Sequence, residues 1–201
     1  VTAEAATAPR LAPPPLPIHT ERLLLRYVRA DDLDALRYYM DPDVCRYLPF
    51  PPADETALAD RVTRMSERLA PSEPDEVLAL AVVHDGVVVG DVMLRLRTRA
   101  DDMTPPAVAE LGWAFAPAYA GRGFATEAAT ALVTLAFEHY PLHRLYANLD
   151  PRNERSAALC ERIGMKREAH LRQDWPNLDG SWSDSAIYGL LREEWAGLRR
   201  A

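Results

Sequence analysis

The stretch from Glu110 to Ala129 constrains this 201-residue chain more than any other. An apolar run at 108–115 leads through Gly121-Arg122-Gly123 directly into a helical pattern: Ala125, Ala128, Ala129, Leu132, Leu135 and Ala136. In such a strand–turn–helix succession, the first N–H groups of the helix lack internal partners. Glycines let a ligand approach the backbone closely. The turn is expected to present a concave ring of donors along the helix dipole, suited to a phosphate or pyrophosphate. Arg122 can add a charge-assisted contact. The same pattern alone fits a loop that merely turns tightly. A P-loop is excluded, because it needs Gly-Lys-Ser/Thr. A dinucleotide fingerprint needs a third glycine position and opens the first β-α unit of its domain, whereas four predicted strands precede this turn.

The rest of the chain reads as mixed α/β. Strands are predicted at 22–28, 76–84, 87–96, 108–115, 144–149, 166–171 and 185–191, with Asp85-Gly86 marking a hairpin. Helices are predicted at 31–39, capped by Asp31 and Asp32; at 54–69, with Leu58, Val62, Met65 and Leu69 in register; at 124–139; and at 153–163, ended by Gly164. The prolines of 47–52 and 98–106 make both segments loops. The order β-α-α-β-β-β-α-β-α-β-β contains one β-α-β crossover, from 108 to 149. Residues 1–17, rich in Ala and Pro, are expected to form a disordered, extended arm ahead of a single domain over 18–201. The arm lacks the basic and apolar regions of a signal peptide, so a cytoplasmic location is expected.

Composition narrows the partners. A net charge of −7 without a Lys/Arg block argues against nucleic acid and mildly favours cationic acceptors. No apolar run reaches the ~20 residues of a membrane span. Cys45 and Cys160 match no zinc or redox spacing and are read as buried free thiols. Pro141 interrupts the His139/His143 pair, so no metal is expected.

Residues 113–128 (W-A-F-A-P-A-Y-A-G-R-G-F-A-T-E-A) resemble motif A of the GNAT acetyltransferases. Residues 153–165 (N-E-R-S-A-A-L-C-E-R-I-G-M) resemble the family's Asn-x-x-Ser/Ala…Glu-Lys-x-Gly-Phe helix. Residues 20–26 with Asp31-Asp32-Leu33, and Asp184, Tyr188 and Glu194-Trp195, resemble the RimJ/RimL-like branch. That branch contains ribosomal-protein N-terminal acetyltransferases and relatives acting on other amines. The likeness spans roughly 18–195.

The resemblance implies a mostly antiparallel sheet of about seven strands with about four helices, splayed at a central parallel pair. It implies acetyl-CoA as co-substrate. Main-chain groups of Gly121, Arg122, Gly123, Phe124, Ala125 and Thr126 would bind its pyrophosphate. The strand Trp113, Ala114, Phe115 would part from its neighbour near Gly112 and pair with the pantetheine arm. Asn153 and Ser156 would face the pantetheine and the sulfur. Tyr47, Phe50, Trp175, Trp182 and Asp184 would line the acceptor pocket. The sequence departs from the family pattern at Ala120, where Gln or Arg is frequent; at Cys160, where many members carry a Tyr general acid; and at Met165, in place of Phe.

The implied reaction is direct attack of a primary amine on the thioester in a ternary complex, the amine being a protein N-terminus or a small molecule. Glu110 is a candidate base, and an ion-paired surface Glu equally. Ser156 is the first candidate donor to the leaving sulfur. Cys160, one helical turn further on, is the second, against its reading as a buried thiol. A competing function is an acyl-CoA-binding sensor or interaction domain without catalysis. Monomer and homodimer both remain open.

Overall fold

The computed structural model describes residues 12–67, 76–97, 107–177 and 179–200. Residues 1–11 of the expected arm, the last two positions of the helix expected at 54–69 and the loop expected at 98–106 lie outside the described residues. The described end of the arm is seated rather than loose: Pro14 is buried, Leu16 packs on the core, and the Ala12 carbonyl accepts from His139 Nε2 at 2.8 Å.

The strands are β1 (Ile18–His19), β2 (Leu24–Tyr27), β3 (Val77–His84), β4 (Val87–Arg97), β5 (Val108–Phe115), β6 (Arg144–Leu149), β7 (Lys166–Pro176) and β8 (Trp182–Leu191). They form one sheet in the order β1-β2-β3-β4-β5-β6-β8-β7. Every pair is antiparallel except β5–β6, whose connection crosses over through a helix and so forces a parallel pair. The helices are α1 (Pro42–Cys45), α2 (Glu55–Glu67), α3 (Phe124–His139), α4 (Glu154–Arg162) and α5 (Arg192–Leu198).

Two apolar layers sandwich the sheet. One packs Leu80, Val92, Leu94, Ala109 and Leu111 against Phe124, Ala128, Leu132 and Ala136 of α3. The other packs Ala79, Ala81, Val88 and Ala114 under Tyr38, Tyr39, Leu58 and Val62. β3 is buried on both faces, which is why it reads as an unbroken apolar run.

Eight strands and five helices are described, against about seven and four expected. The additions are short: β1 has two residues and α1 four, and α5 follows β8 with no turn between them. The helix expected at 31–39 is instead two 3-10 turns, Ala30–Asp32 and Arg37–Met40. Asp32 is the reason. Its carboxylate takes both arms of Arg26 at 2.7 Å and the Arg29 N–H at 2.8 Å, so it is buried in a tertiary contact and caps no α-helix. β7 and β8 also reach beyond the predicted 166–171 and 185–191, as a polar hairpin exposed along nearly all of β7.

α3 is held at both ends. Near its start, Glu127 accepts from Thr20 Oγ1 (2.6 Å), Arg22 N–H (2.8 Å) and Arg22 Nε (2.7 Å). Burial alone would raise this carboxyl, but those hydrogen bonds hold it below its ordinary value. At its end, the Arg192 guanidinium donates to the carbonyls of Phe137, Tyr140 and Leu142 at 2.6–2.7 Å.

Candidate active site

β5 and β6 pair over only three positions, Val108↔Arg144, Ala109↔Leu145 and Glu110↔Tyr146. Beyond Glu110 the strands part. β5 continues on β4 as far as Gly90↔Phe115, and β6 continues on β8 as far as Leu149↔Ala186. The facing edges of 111–115 and 147–149 thus line a cleft inside the sheet. Gly112, just past the parting, leaves room for Met93, whose Cε would lie 2.6 Å from an added Cβ.

At the end of β5, a 3-10 turn (Pro117–Tyr119) leads into Gly121-Arg122-Gly123. Both glycines are exposed and have positive φ, +75° and +80°. Space beside Gly121 is open, and an added Cβ on Gly123 would come 3.3 Å from Arg22 Nη2. Gly123 is the N-cap of α3, whose first helical bond is Glu127 N–H to the Gly123 carbonyl at 3.1 Å. The N–H groups of Phe124, Ala125 and Thr126 therefore precede the helical ladder and lie at its positive pole.

Trp113 and Ser156 meet across the cleft: Trp113 Nε1–H donates to Ser156 Oγ at 3.2 Å. Asn153 caps α4, its Oδ1 accepting the Ser156 N–H at 3.1 Å. An indole nitrogen can only donate, so the Ser156 hydroxyl accepts here and keeps its own proton for another acceptor. Cys160 lies on the same helix but is 0% exposed within the core, and burial pushes its thiol up to about 12. Such a thiol is a weaker acid than an ordinary one (~8.5), so donating its proton to a thiolate runs uphill. The structure thus seats Cys160 in the apolar core with Leu159 and Ile163.

Glu110, 15% exposed, is ion-paired: its Oε2 lies 2.8 Å from Arg97 Nη2, 3.6 Å from Arg95 Nη1 and 3.3 Å from Tyr146 Oη. It also lines a cavity of about 120 Å³ with Tyr47, Pro49, Asn148, Trp175 and Asp184. A space of that size holds a small group, not a whole drug-sized ligand. Phe50 is not among its walls: its ring packs on Tyr39 at 5.8 Å, with the Arg61 guanidinium 3.6 Å above it. Trp182 is exposed.

Two carboxylates at the cavity, Asp184 and Asp150, are fixed by neighbouring side chains. Asp184 accepts from His170 Nε2 at 2.6 Å and from the Gln173 N–H at 3.0 Å, and these bonds hold its carboxyl low. Asp150 is held low by Arg152, which chelates it from two residues on. Arg22, from the turn between β1 and β2, and His84, at the end of β3, converge on the glycine turn. Arg22 and Glu127 lie inside segments that the family resemblance marks; His84 depends on long-range folding alone.

The Acetyltransferase (GNAT) domain model matches residues 22–166. The uncharacterized N-acetyltransferase p20 of Bacillus licheniformis is 28% identical over 181 residues, covering 90% of this chain and 98% of that protein. The [ribosomal protein uS5]-alanine N-acetyltransferase of Escherichia coli (strain K12) is 32% identical over a shorter stretch of 85 residues, 42% of this chain and 43% of that protein. The crystal structure of a GNAT-family acetyltransferase from Bacillus anthracis superposes with a TM-score of 0.76 at 29% identity, covering 89% of this chain and 99% of that one. Among the described residues no helix is long and apolar enough to cross a membrane. With the domain model matching most of its length and the parted parallel pair at its centre, the chain belongs to the GNAT acetyltransferase family, as an acetyl-CoA-dependent acyltransferase.

Proposed function

We propose that the chain acetylates a primary amine, a protein N-terminus or a small amine, whose reacting end enters the cavity beside Glu110 and attacks directly in a ternary complex. The observation that carries this is the cleft between β5 and β6, bordered by Ser156 and continuous through β5 with the glycine turn. The turn fits the coenzyme's diphosphate: it is exposed, open beside Gly121, and ends in amides at a helix pole. Phe124, Ala125 and Thr126 would hold it through N–H groups, with Gly121, Arg122 and Gly123 around it. Bound acetyl-CoA supplies the thioester.

The chain's own residues supply orientation and proton handling. The free edge of Trp113, Ala114 and Phe115 aligns an extended arm. Asn153 fixes the first turn of α4, and Trp113 orients Ser156 so that its hydroxyl proton can stabilise negative charge on a leaving sulfur. Glu110, held by Arg97, accepts the amine's proton directly or through water. Tyr47, Trp175 and Asp184 form the walls that meet the acceptor. The uS5-alanine specificity named for one relative supports a peptide N-terminus, and with it a cytoplasmic setting.

A thiol-release assay with acetyl-CoA over a panel of Ala-initiated peptides, polyamines, amino sugars and amino acids tests the proposal. Turnover above hydrolysis with at least one amine is the expected result. Tight acetyl-CoA binding with no turnover on any of them would instead identify a sensor.

A further inference from the structure

His84, the last residue of β3, stands beside the glycine turn although Arg122 at its centre is 38 residues away in sequence. Its ring packs on Phe124, the first residue of α3, at 4.4 Å between centroids, and is only 16% exposed. Nδ1 lies 3.1 Å from the Arg22 carbonyl oxygen. A carbonyl can only accept, so this nitrogen carries a proton in both charge states of the ring. The other ring nitrogen, Nε2, has two partners that compete for it. Arg122 Nη2, from the turn itself, is 3.4 Å away. Asp85 Oδ2, on the hairpin, is 3.2 Å away.

The partners require opposite states. Arg122 can only donate, so it needs Nε2 unprotonated. The Asp85 carboxylate accepts, so it needs Nε2–H. The charged groups around the ring are few: Asp85 from its own hairpin, Arg22 from the turn between β1 and β2, and Arg122 ahead of α3. Glu127 from α3 pairs with Arg22 at 2.7 Å and largely neutralises it. Both arginines also lie over the Phe124 ring, at 4.9 Å and 4.7 Å.

We propose that His84 is a proton-operated positioning residue for the diphosphate turn: neutral, its Nε2 tethers Arg122; protonated, it turns its N–H to Asp85 and frees Arg122 for the ligand's phosphates. The inference rests on the coenzyme reading of the turn. Protonation acts twice in one direction, since it adds a positive charge beside the site and releases a second. Affinity for a diphosphate then rises as pH falls, and by linkage binding takes up a proton.

The test is calorimetry of dephospho-coenzyme A binding to the full chain. This probe keeps the diphosphate but lacks the 3′-phosphate monoester, whose own titration would obscure the count. Wild-type protein is expected to bind it about fivefold or more tighter at pH 6 than at pH 8. Between these limits, buffers of different ionisation enthalpy should report net proton uptake. His84→Gln should lose both the pH dependence and the uptake. Asp85→Asn, on an exposed turn whose positive φ (+48°) Asn tolerates, should move the rise in affinity to lower pH, and it serves if the His84 variant does not fold. Binding by wild type with a pH dependence that His84→Gln leaves intact, or that Asp85→Asn leaves unmoved, overturns the role of the ring while leaving the coenzyme site standing. Absence of binding at either pH overturns the coenzyme site itself, and this inference with it.

Discussion

Replacing Tyr38 with Phe should destabilise the protein more at neutral than at acid pH. Asp91 on β4 is 3% exposed, and its Oδ1 accepts from Tyr38 Oη at 2.6 Å and from Tyr39 Oη at 2.7 Å. Burial pushes this carboxyl up from 3.8 to about 6, against the opposing pull of the two hydroxyls and of Arg61. A rise from 3.8 to about 6 means that the ionised form costs roughly 3 kcal/mol at pH 7 relative to the unfolded chain. Because the folded state binds this proton more tightly, stability through this group grows as pH falls from about 7 towards 4. Asp32, Glu127 and Asp150 are lowered and act in the opposite sense, but only below their ordinary range.

At pH 7.5 the Tyr38 hydroxyl bonds an ionised carboxylate, and its loss should cost about 1.5–3 kcal/mol. At pH 5 Asp91 is mostly protonated, and the same loss should cost about 0.5–1.5 kcal/mol. Phe keeps the ring and leaves no cavity, so the difference isolates the hydroxyl. Urea unfolding of wild type and variant at the two pH values measures it, with a midpoint shift of roughly 0.5–1 M expected at pH 7.5. An equal loss at both pH values, or a larger one at pH 5, would refute a charge-bearing Asp91 at the centre of this network.

Ser156→Ala should lower turnover about tenfold or more while changing acetyl-CoA affinity far less, as initial rates and calorimetry would show; wild-type turnover would remove Ser156 from the mechanism. Cys160→Ala should cost about 1–2 kcal/mol in thermal denaturation yet leave turnover per folded molecule unchanged, and a large fall in turnover would restore the thiol as a proton donor. Gly123→Asp should weaken acetyl-CoA binding about a hundredfold, because a side chain at φ +80° strains the turn and brings a negative charge beside it and Arg22, while the circular dichroism spectrum stays that of a folded protein. Unchanged affinity would displace the cradle from this turn.

The sheet's centre was legible because burial and period agree there. β3 and most of β4 are covered on both faces, β5 alternates buried with half-buried positions along its first half, and Asp85-Gly86 joins the first two at positive φ. Where a tertiary contact overrides local pattern, the reading fails. Asp32 looks like the cap of an α-helix, and instead it binds Arg26 and the Arg29 N–H at the start of a 3-10 turn. β7 carries hardly any buried residue, so no alternation announces its full length. α5 begins on the residue after β8, with no Gly or Pro to mark the change. The same limit governs the site. Ser156 and Cys160, four apart, do share a face of α4, but that face tilts inward with Leu159 and Ile163, so the first reaches the cleft and the second the core. Phe50 is aromatic and close in sequence to Tyr47 and Pro49 of the cavity wall, yet its ring packs on Tyr39 and under Arg61.

The double fastening of α3 has a consequence for how tightly a ligand can be held. A helix clamped by Arg192 behind and Glu127 in front has little freedom to slide or roll, so its amide crown is already aimed when a ligand arrives, and association forfeits less motion. Both fasteners come from the margins of the fold, the turn at Thr20–Arg22 and the first residue after β8. Trimming or fusing near either margin should therefore blunt coenzyme affinity through the helix that both of them hold.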